Sequence, residues 1–244
     1  MSRGLFITGT GTEVGKTVVS AGILRMLRSR GINAIPMKPV QTGAEHVDGE
    51  LGSPDLEFSL QAAGLGNIAS PKSLLSSYRY EPACSPHLAG RLSGNYPNIS
   101  HIKNCTKRLM SEYEFLVVEG AGGIMVPLDE SRTMLDLMKT LAYPVIIVAS
   151  TGLGTINHTL LSIKALKDSG LKLLGIVFCN SVPVREEDQE IVADNPTIIE
   201  RFGDVKNLGV IRYFDDIDAT NELMWLDFES DLSGFPDILK GLGR

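Results

Sequence analysis

The sequence lacks three features that would each have indicated a particular class of protein. No apolar run reaches the roughly 18 residues that a membrane-spanning helix needs, and the basic residues form no stripe of the kind that binds nucleic acid. The cysteines Cys84, Cys105 and Cys179 are an odd number without metal-ligand spacing. We therefore expect no membrane partner, no nucleic-acid partner, and a reducing, cytoplasmic location.

Apolar runs of strand length recur along the 244 residues, of which 43% are hydrophobic. They cover residues 5–8, 34–40, 115–119, 145–150 and 173–180. Several are nearly continuous in Val, Ile and Leu, which is typical of parallel strands covered on both faces. Segments of helical period lie between them. The pattern predicts an α/β fold with a doubly wound, mostly parallel sheet flanked by helices, and ligands at the carboxyl ends of the strands.

The length fits one domain that spans residues 1–244. Residues 43–98 are rich in Gly, Pro and Ser, and we expect them to form an irregular insertion on the substrate side with a few short helices. The acidic stretch after Asp215 is weakly patterned and supports no structural prediction.

A glycine-rich loop at residues 9–17 is the strongest motif in the chain. It reads Gly-Thr-Gly-Thr-Glu-Val-Gly-Lys-Thr and follows the predicted strand 5–8. A phosphate site needs converging backbone N–H groups, a lysine for the β and γ oxygens, and a hydroxyl for magnesium. Gly15, Lys16 and Thr17 supply these groups at the start of a predicted helix. The loop therefore predicts a mononucleotide site in a fold like that of the P-loop NTPases.

The spacing of this loop leaves other interpretations to weigh. The common pattern G-x4-GK[ST] expects glycine at Thr10, and the nearest glycines are Gly9 and Gly11. A dinucleotide-binding loop would need an acidic residue at the end of the second strand, where this chain has Lys38. A glycine turn without any ligand would leave the loop lysine without a partner. Phosphate binding is favoured over both.

Charged residues at the ends of other predicted strands fit the same site. Glu119 ends one strand and precedes the glycine-rich stretch 120–123, as expected for a magnesium ligand beside a phosphate; an ion-paired or capping glutamate is the alternative. Lys38 precedes Pro39, which favours extended backbone, and it neutralises an anion if it faces the loop rather than solvent. Asp55 either binds the metal or caps a helix.

Taken together, these motifs resemble the dethiobiotin synthetase family. The matching pieces follow one another in order over roughly residues 4–210: the loop 8–17, Lys-Pro-Val at 38–40, Thr42 and Gly43, Asp55, Ser-Pro-His at 85–87, Val-Glu-Gly-Ala-Gly-Gly at 118–123, Leu-Gly at 153–154, Ile-Asn-His at 156–158, and Asn180.

The resemblance implies a ligase that makes the ureido ring of dethiobiotin in biotin biosynthesis. Its partners would be 7,8-diaminononanoate, CO2 or bicarbonate, and ATP as co-substrate, with Mg²⁺ as cofactor. A carbamic-phosphoric anhydride would be the intermediate. The family resemblance also implies a homodimer whose substrate site lies at the interface.

The resemblance also implies roles for individual residues. Catalytic roles fall to Lys38, Lys16, Thr12 and Glu13. ATP-binding roles fall to Glu13, Val14, Gly15, Lys16, Thr17, Val18, Glu119, Gly120, Ala121, Gly122, Asn180, Arg212, Tyr213 and Phe214. Magnesium would be held by Thr17, Asp55 and Glu119. Substrate contacts would come from Thr42, Ser85, Gly154 and Asn157, although Ser85 before a proline also suits the start of a helix.

The sequence departs from the family pattern in two places. Arg212, Tyr213 and Phe214 replace a proline-containing loop that the family commonly has beside the base; they either stack on the base or loosen nucleotide choice. Residues 185–195 contain no tyrosine, whereas some members place one near the substrate tail.

Two other functions fit the sequence less well. Nucleotide-gated switches such as the partition and septum-positioning ATPases share the predicted fold, but they carry a further lysine where this chain has Gly11. They also need a partner surface, and no basic amphipathic tail is visible. The amidating synthetases of corrin biosynthesis also activate carboxyl groups, but they are typically longer and carry an added glutaminase domain.

Overall fold

The computed structural model describes residues 3–47, 49–66, 68 and 70–244. Met1 and Ser2, and Asp48, Asn67 and Ala69 of the predicted insertion, lie outside the described residues. The first half of the chain forms β1 (Gly4–Gly9), α1 (Lys16–Ser29), β2 (Ala34–Met37), β3 (Val40–Thr42), β4 (His46–Val47), β5 (Glu50–Leu51), α2 (Pro54–Ala62), α3 (Lys72–Leu75), β6 (Tyr78–Tyr80) and α4 (Pro86–Ser93). The second half forms α5 (Ile99–Glu112), β7 (Phe115–Gly123), α6 (Met134–Leu141), β8 (Val145–Ser150), α7 (Thr155–Asp168), β9 (Leu173–Cys179), a 3-10 turn (Glu186–Asp188), α8 (Gln189–Gly203), β10 (Asn207–Ile211), α9 (Glu222–Asp231) and α10 (Phe235–Leu242).

Six strands form a parallel sheet in the order β10-β9-β8-β1-β7-β2. The chain leaves β1 towards β2 on one side, and it leaves β8 towards β9 on the other side. The carboxyl ends of β1 and β8 therefore flank the switch point of a doubly wound sheet, where such folds bind their ligands. The predicted fold class is confirmed.

The sheet is covered by apolar side chains on both faces, which explains why its strands are continuously hydrophobic. Along β1, Leu5 and Ile7 pack into the layer formed with α1, α9 and α10. Phe6, between them, packs into the opposite layer with α5, α6 and α7. This alternation fixes the register of β1 and thereby the position of the loop that follows it.

Helices α1 and α9 approach each other closely at Gly22. A Cβ atom at this position would lie 2.1 Å from Cε1 of Phe228, so only glycine allows the two helices to pack as they do. The helix after the glycine-rich loop is thus fixed against the C-terminal part of the chain, for which the sequence supported no prediction.

The predicted strand 34–40 is wrong at its end. The sheet strand β2 ends at Met37, and Val40–Thr42 pairs instead with β6 in a separate two-stranded sheet. Pro39 has no N–H to donate to a ladder, and the N–H of Lys38 donates to Leu75 O at 2.8 Å. The chain therefore leaves the main sheet at Lys38. Among the described residues, no helix is long and apolar enough to cross a membrane.

Candidate active site

A cavity of about 500 Å³ lies at the carboxyl ends of the central strands. Most residues predicted to form the site line it, namely Thr12, Glu13, Gly15, Lys16, Thr17, Val18, Lys38, Thr42, Asp55, Glu119, Ala121, Gly122, Asn180, Arg212, Tyr213 and Phe214. They come from seven separate segments of the sequence, so the fold has gathered them. The volume suits a small organic ligand.

The glycine-rich loop turns from β1 into α1 through two residues with positive φ. Glu13 has φ 59° and Gly15 has φ 94°. A non-glycine residue in this region is strained, and such strain is concentrated at functional loops. The loop is also held to the sheet, because the N–H of Thr10 donates to Val148 O at 3.0 Å. The first turn of α1 therefore presents its free N–H groups to the cavity, as an anion site requires.

Lys16 is buried at the first position of α1 and folds back over its own loop. Its ammonium donates to Gly11 O at 2.6 Å. Burial, followed by the nearby charge of Lys38, lowers the pKa of Lys16 to about 8, against the smaller opposing effects of Glu119 and Asp55. Among the described residues, no carboxylate is in contact with this ammonium group, so an anionic ligand would stabilise its charge.

Lys38 lies at the centre of a cluster of oxygen atoms. Its Nζ is 2.6 Å from Asp55 Oδ2 and 2.7 Å from Glu119 Oε1. It also donates to Gly120 O at 3.2 Å. Glu119 Oε1 in addition accepts a hydrogen bond from Thr17 Oγ1 at 3.0 Å. The three side chains predicted to hold magnesium therefore meet around one ammonium group.

The charges in this cluster depend on one another. Burial alone would lower the pKa of Lys38, but the carboxylates of Glu119 and Asp55 outweigh it and raise that pKa above its ordinary value. Burial raises the pKa of Glu119, and the Lys38 ammonium opposes this. Glu119 and Lys38 are 4% and 5% exposed, so neither charge is stable there without the other.

The structure shows how each of these two carboxylates is placed, whereas their role as metal ligands stays a prediction. Glu119 is ion-paired, as one alternative had it, and it is at the same time hydrogen-bonded to the loop threonine Thr17. Asp55 lies in the first turn of α2, after Ser53 and Pro54, where it favours the helix start. From there its carboxylate reaches Lys38, so the start of α2 and the glycine-rich loop meet in one site.

Asn180 lies at the end of β9 on the far wall of the cavity, and its amide is held from behind. Thr151 Oγ1 donates a hydrogen bond to Asn180 Oδ1. Thr151 is itself fixed, because Asn195 Nδ2 donates to its carbonyl oxygen at 2.7 Å. With Oδ1 engaged by Thr151, the amide NH₂ group of Asn180 is available to a ligand.

Arg212 lines the same wall, but its guanidinium group is held by two carboxylates. Nε and Nη2 donate to Asp231 at 2.9 and 2.7 Å, and Nη1 donates to Asp227 at 3.0 Å. These bonds join the end of β10 to α9. Tyr213 and Phe214 line the same wall, and Phe214 also packs against the hydrophobic core. Their stacking on a base stays a prediction.

Five residues predicted for the site do not line this cavity. Val14 is buried in the core beneath the loop, and Gly120 lies against Phe6. Ser85 begins α4, and its hydroxyl pairs with His87 Nδ1 at 2.9 Å rather than capping the helix. Gly154 and Asn157 are exposed at the start of α7. The chain by itself does not bring the last three into contact with the cavity.

Several lining residues were missed by sequence reasoning. They are Val40, Gln41, Cys179, Ser181, Ile211 and Ile217. Gln41 and Ser181 are neighbours of predicted residues, so the ends of their strands were the available signal. Cys179 carried no such signal, since its importance comes from its contact with Gly15, which lies far away in the sequence.

Comparisons with known proteins agree with this geometry. The family model described as "AAA domain" matches residues 3–221. Among curated relatives named ATP-dependent dethiobiotin synthetase BioD, one from Clostridium kluyveri is 41% identical over 72% of this chain and 74% of its own length. One from Anaeromyxobacter sp. (strain K) is 38% identical over 88% and 92%. One from Anoxybacillus flavithermus is 37% identical over 91% and 97%.

Solved structures with the same fold include proteins of bacterial and archaeal cell division. The MinC:MinD complex of Aquifex aeolicus contains a chain with a TM-score of 0.57, at 15% identity over all of this chain and 95% of that one. MinD of Pyrococcus horikoshii, complexed with Mg-ADP, has a TM-score of 0.56 at 17% identity over 99% and 95%. At this identity the likeness shows the fold alone. The curated relatives, by contrast, align over most of the sequence, and on that evidence the chain belongs to the family of ATP-dependent dethiobiotin synthetases.

Proposed function

We propose that this protein closes the ureido ring of dethiobiotin from 7,8-diaminononanoate, CO2 or bicarbonate, and ATP. The observation that carries the proposal is the convergence of Lys16, Lys38, Asp55, Glu119 and Thr17 on one cavity beside the phosphate loop. This set suits a reaction in which two anions, a triphosphate and a carbamate, must be brought together. The names and sequence identity of the relatives support the same activity.

The chemistry proceeds in three steps whose atoms balance. One amine of the diamine takes up CO2 and loses a proton, which gives a carbamate. A carbamate oxygen then attacks the γ-phosphorus of ATP, so that ADP leaves and a carbamic-phosphoric anhydride forms. The second amine attacks the carbonyl carbon, and inorganic phosphate leaves as the ring closes. None of these steps needs a covalent bond to the protein, so positioning and charge stabilisation dominate.

Two lysines supply the positive charge that these steps require. Lys16 begins α1 and would turn from Gly11 O to the phosphate oxygens when a nucleotide binds. Lys38 reaches the cavity from the end of β2. It lies close in the sequence to Thr42, which is expected to contact the substrate. A fixed cation in a site with little water stabilises developing negative charge more strongly than it would in solvent. Loss of either lysine should therefore slow phosphoryl transfer.

The oxygen-rich cluster has the chemistry of a magnesium site. Mg²⁺ binds hard oxygen ligands, usually one or two carboxylates with phosphate oxygens and water. The cluster provides the hydroxyl of Thr17 and the carboxylates of Asp55 and Glu119. Both carboxylates contact Lys38 Nζ, and the hydroxyl donates to the carboxylate of Glu119. These residues would hold the ion, which when bound neutralises phosphate charge during transfer.

We infer that the substrate carboxylate is held at the start of α7 and that a second copy of the chain completes the site. Gly154, Asn157, His158 and Leu161 fall on one exposed face of α7 at helical spacing. Leu153, which precedes them, is 92% exposed. The helix start offers free N–H groups for a carboxylate, and the exposed leucines favour contact with a partner. A homodimer through this face would explain why Gly154 and Asn157 lie away from the cavity of one chain.

An activity assay tests the proposal directly. ADP release and dethiobiotin formation would be measured with the diamine and bicarbonate each omitted in turn, and both products should require both substrates. Lys16→Met should abolish turnover, whereas Lys206→Met, which removes an exposed lysine paired with Asp237, should leave it unchanged. ADP release without the diamine, or no dethiobiotin with all components present, would rule the function out.

A further inference from the structure

Lys38 fills the place at which the proposed magnesium ligands converge. An ammonium group has three hydrogens to donate, and here three oxygens receive them: Asp55 Oδ2 at 2.6 Å, Glu119 Oε1 at 2.7 Å and Gly120 O at 3.2 Å. The Glu119 oxygen that binds Lys38 is the same atom that accepts from Thr17 Oγ1. All three hydrogens of the lysine are therefore engaged, and two of the acceptors are carboxylate oxygens that would otherwise be offered to a metal.

The charge balance of the cluster is already satisfied without any metal. Lys16 and Lys38 oppose Asp55 and Glu119, and both carboxylates already have a cation in contact or nearby. In the described part of the chain, no group of three or more His, Cys, Asp or Glu side chains is placed to hold a metal ion. A lone Mg²⁺, which prefers about six oxygen ligands in octahedral geometry, would have to displace Lys38 and would gain only three protein oxygens.

Binding of a triphosphate would change both the number of oxygen ligands and the charge balance of the cluster. Its oxygens supply the ligands that the protein lacks, and its negative charge gives Lys38 a new partner. We propose that Lys38 is a built-in cation that closes the metal site until the nucleotide arrives, and that it exchanges places with the metal when both bind. This inference depends on the proposed function only for the identity of the metal-binding set. Binding of the metal would thus release Lys38, which would move towards the reacting phosphate.

Manganese binding without nucleotide tests the exchange, because Mn²⁺ reports by electron paramagnetic resonance and needs no turnover. The wild-type protein should bind Mn²⁺ only weakly when alone, and addition of ADP should create a tight site. Lys38→Met should bind Mn²⁺ alone at least tenfold more tightly than the wild type. Lys38→Gln, which keeps a polar side chain of similar length, would be measured beside it in case the methionine variant folds poorly.

Lys16→Met is the matched control for charge. It removes the same charge from the same cavity, but Lys16 Nζ contacts Gly11 O and neither carboxylate. Its affinity for Mn²⁺ alone should therefore change much less than that of Lys38→Met. The proposal is overturned if wild type and both Lys38 variants bind Mn²⁺ equally, or if Lys16→Met tightens binding as much as Lys38→Met. Failure to form dethiobiotin would instead refute the proposed reaction and leave these affinities standing.

Discussion

Gly15 of the glycine-rich loop packs directly against Cys179 at the end of β9, with no room between them for a side chain. A Cβ atom at Gly15 would lie 2.9 Å from Cys179 Sγ and 3.0 Å from Cys179 Cβ. Gly15 also has φ 94°, a conformation that side chains strongly disfavour. The end of β9 therefore supports the loop from below, and the glycine is required both for its backbone conformation and for its lack of a side chain.

Gly15→Ala should accordingly disrupt the loop. The positive φ alone costs about 1–2 kcal/mol for a residue with a Cβ, and the contact with Cys179 adds to it. We expect ATP affinity to fall at least tenfold, measured by calorimetric titration, with a lower melting temperature. Gly11→Ala is the control, because a Cβ there meets no atom within 4 Å. Equal losses in the two variants would contradict this explanation.

ATP affinity should decrease with pH above about 8. Burial lowers the pKa of Lys16 to about 8 in the free protein, and bound phosphate will raise it. Below pH 8 the lysine is charged in both states, so affinity does not depend on this group. Above pH 8 the free protein loses the proton that the complex retains, so affinity falls by up to tenfold per pH unit. Calorimetry in buffers of different ionisation heat should show uptake of up to one proton at pH 9.

Lys16→Arg provides the comparison for this pH effect. A guanidinium stays charged throughout this range. The ATP affinity of the Lys16→Arg variant should therefore not change between about pH 7.5 and 9.5, whatever its absolute value. A wild-type affinity that is equally flat would show that Lys16 is not the titrating group.

The sequence predicted the central strands well because their signal is local. Residues 145–150 form β8 as predicted, and helix α1 begins at Lys16 as expected. Continuous burial on both faces leaves a hydrophobic run that is visible without knowledge of neighbours. The predicted strand 34–40 was too long because the apolar pattern continues past Lys38. The backbone N–H of Lys38, however, donates to α3 and not to the sheet.

The site was predictable to the extent that its residues follow strand ends. Lys38 is such a residue. Glu119 was predicted to end a strand, but β7 continues to Gly123, so Glu119 lies within the strand. The structure places the two side chains in contact. Asp55 was ambiguous because both a helix start and a metal ligand suit an aspartate after Ser-Pro, and only the folding of α2 towards β2 decides where it points. The bonds from Arg212 to Asp231 and Asp227 depend on α9, whose pattern is too weak to predict.

Removal of the Glu119 charge should change the magnesium requirement of the reaction. Glu119→Gln keeps the shape of the side chain but removes a carboxylate that is a proposed metal ligand and one of the two that hold Lys38. We expect kcat to fall by about a hundredfold or more, as for loss of a preorganised electrostatic contact, and the Mg²⁺ concentration for half-maximal rate to rise. Initial rates over a range of free Mg²⁺ would measure both effects.

Asp129→Asn is the matched control for loss of a buried carboxylate. Asp129 is 8% exposed, accepts hydrogen bonds from the backbone N–H groups of Ser131 and Arg132, and is not one of the residues that line the cavity. This variant should melt at a lower temperature than the wild type and keep its Mg²⁺ dependence. If Glu119→Gln showed the same pattern, Glu119 would have a structural role only.

Nucleobase choice should depend on Thr151, which does not line the cavity. Its hydroxyl donates to Asn180 Oδ1 and leaves the amide NH₂ group free to donate to the proposed nucleotide. Thr151→Val keeps the shape but removes the donor, so the amide is free to flip and present its oxygen instead.

A typical hydrogen bond contributes about 0.5–1.5 kcal/mol, which corresponds to a rise in KM for ATP of roughly twofold to tenfold in the Thr151→Val variant. Adenine N1 can accept from this NH₂ group, whereas guanine N1 carries a hydrogen and cannot. If the amide contacts N1, preference for ATP over GTP should therefore fall by a similar factor, measured as the ratio of kcat/KM values. Thr151→Ser retains the donor and should retain the preference, since the hydroxyl rather than the methyl group orients Asn180. If the valine variant discriminated between ATP and GTP as well as the serine variant does, the orientation of Asn180 would have to come from its own backbone and from the packing of β9.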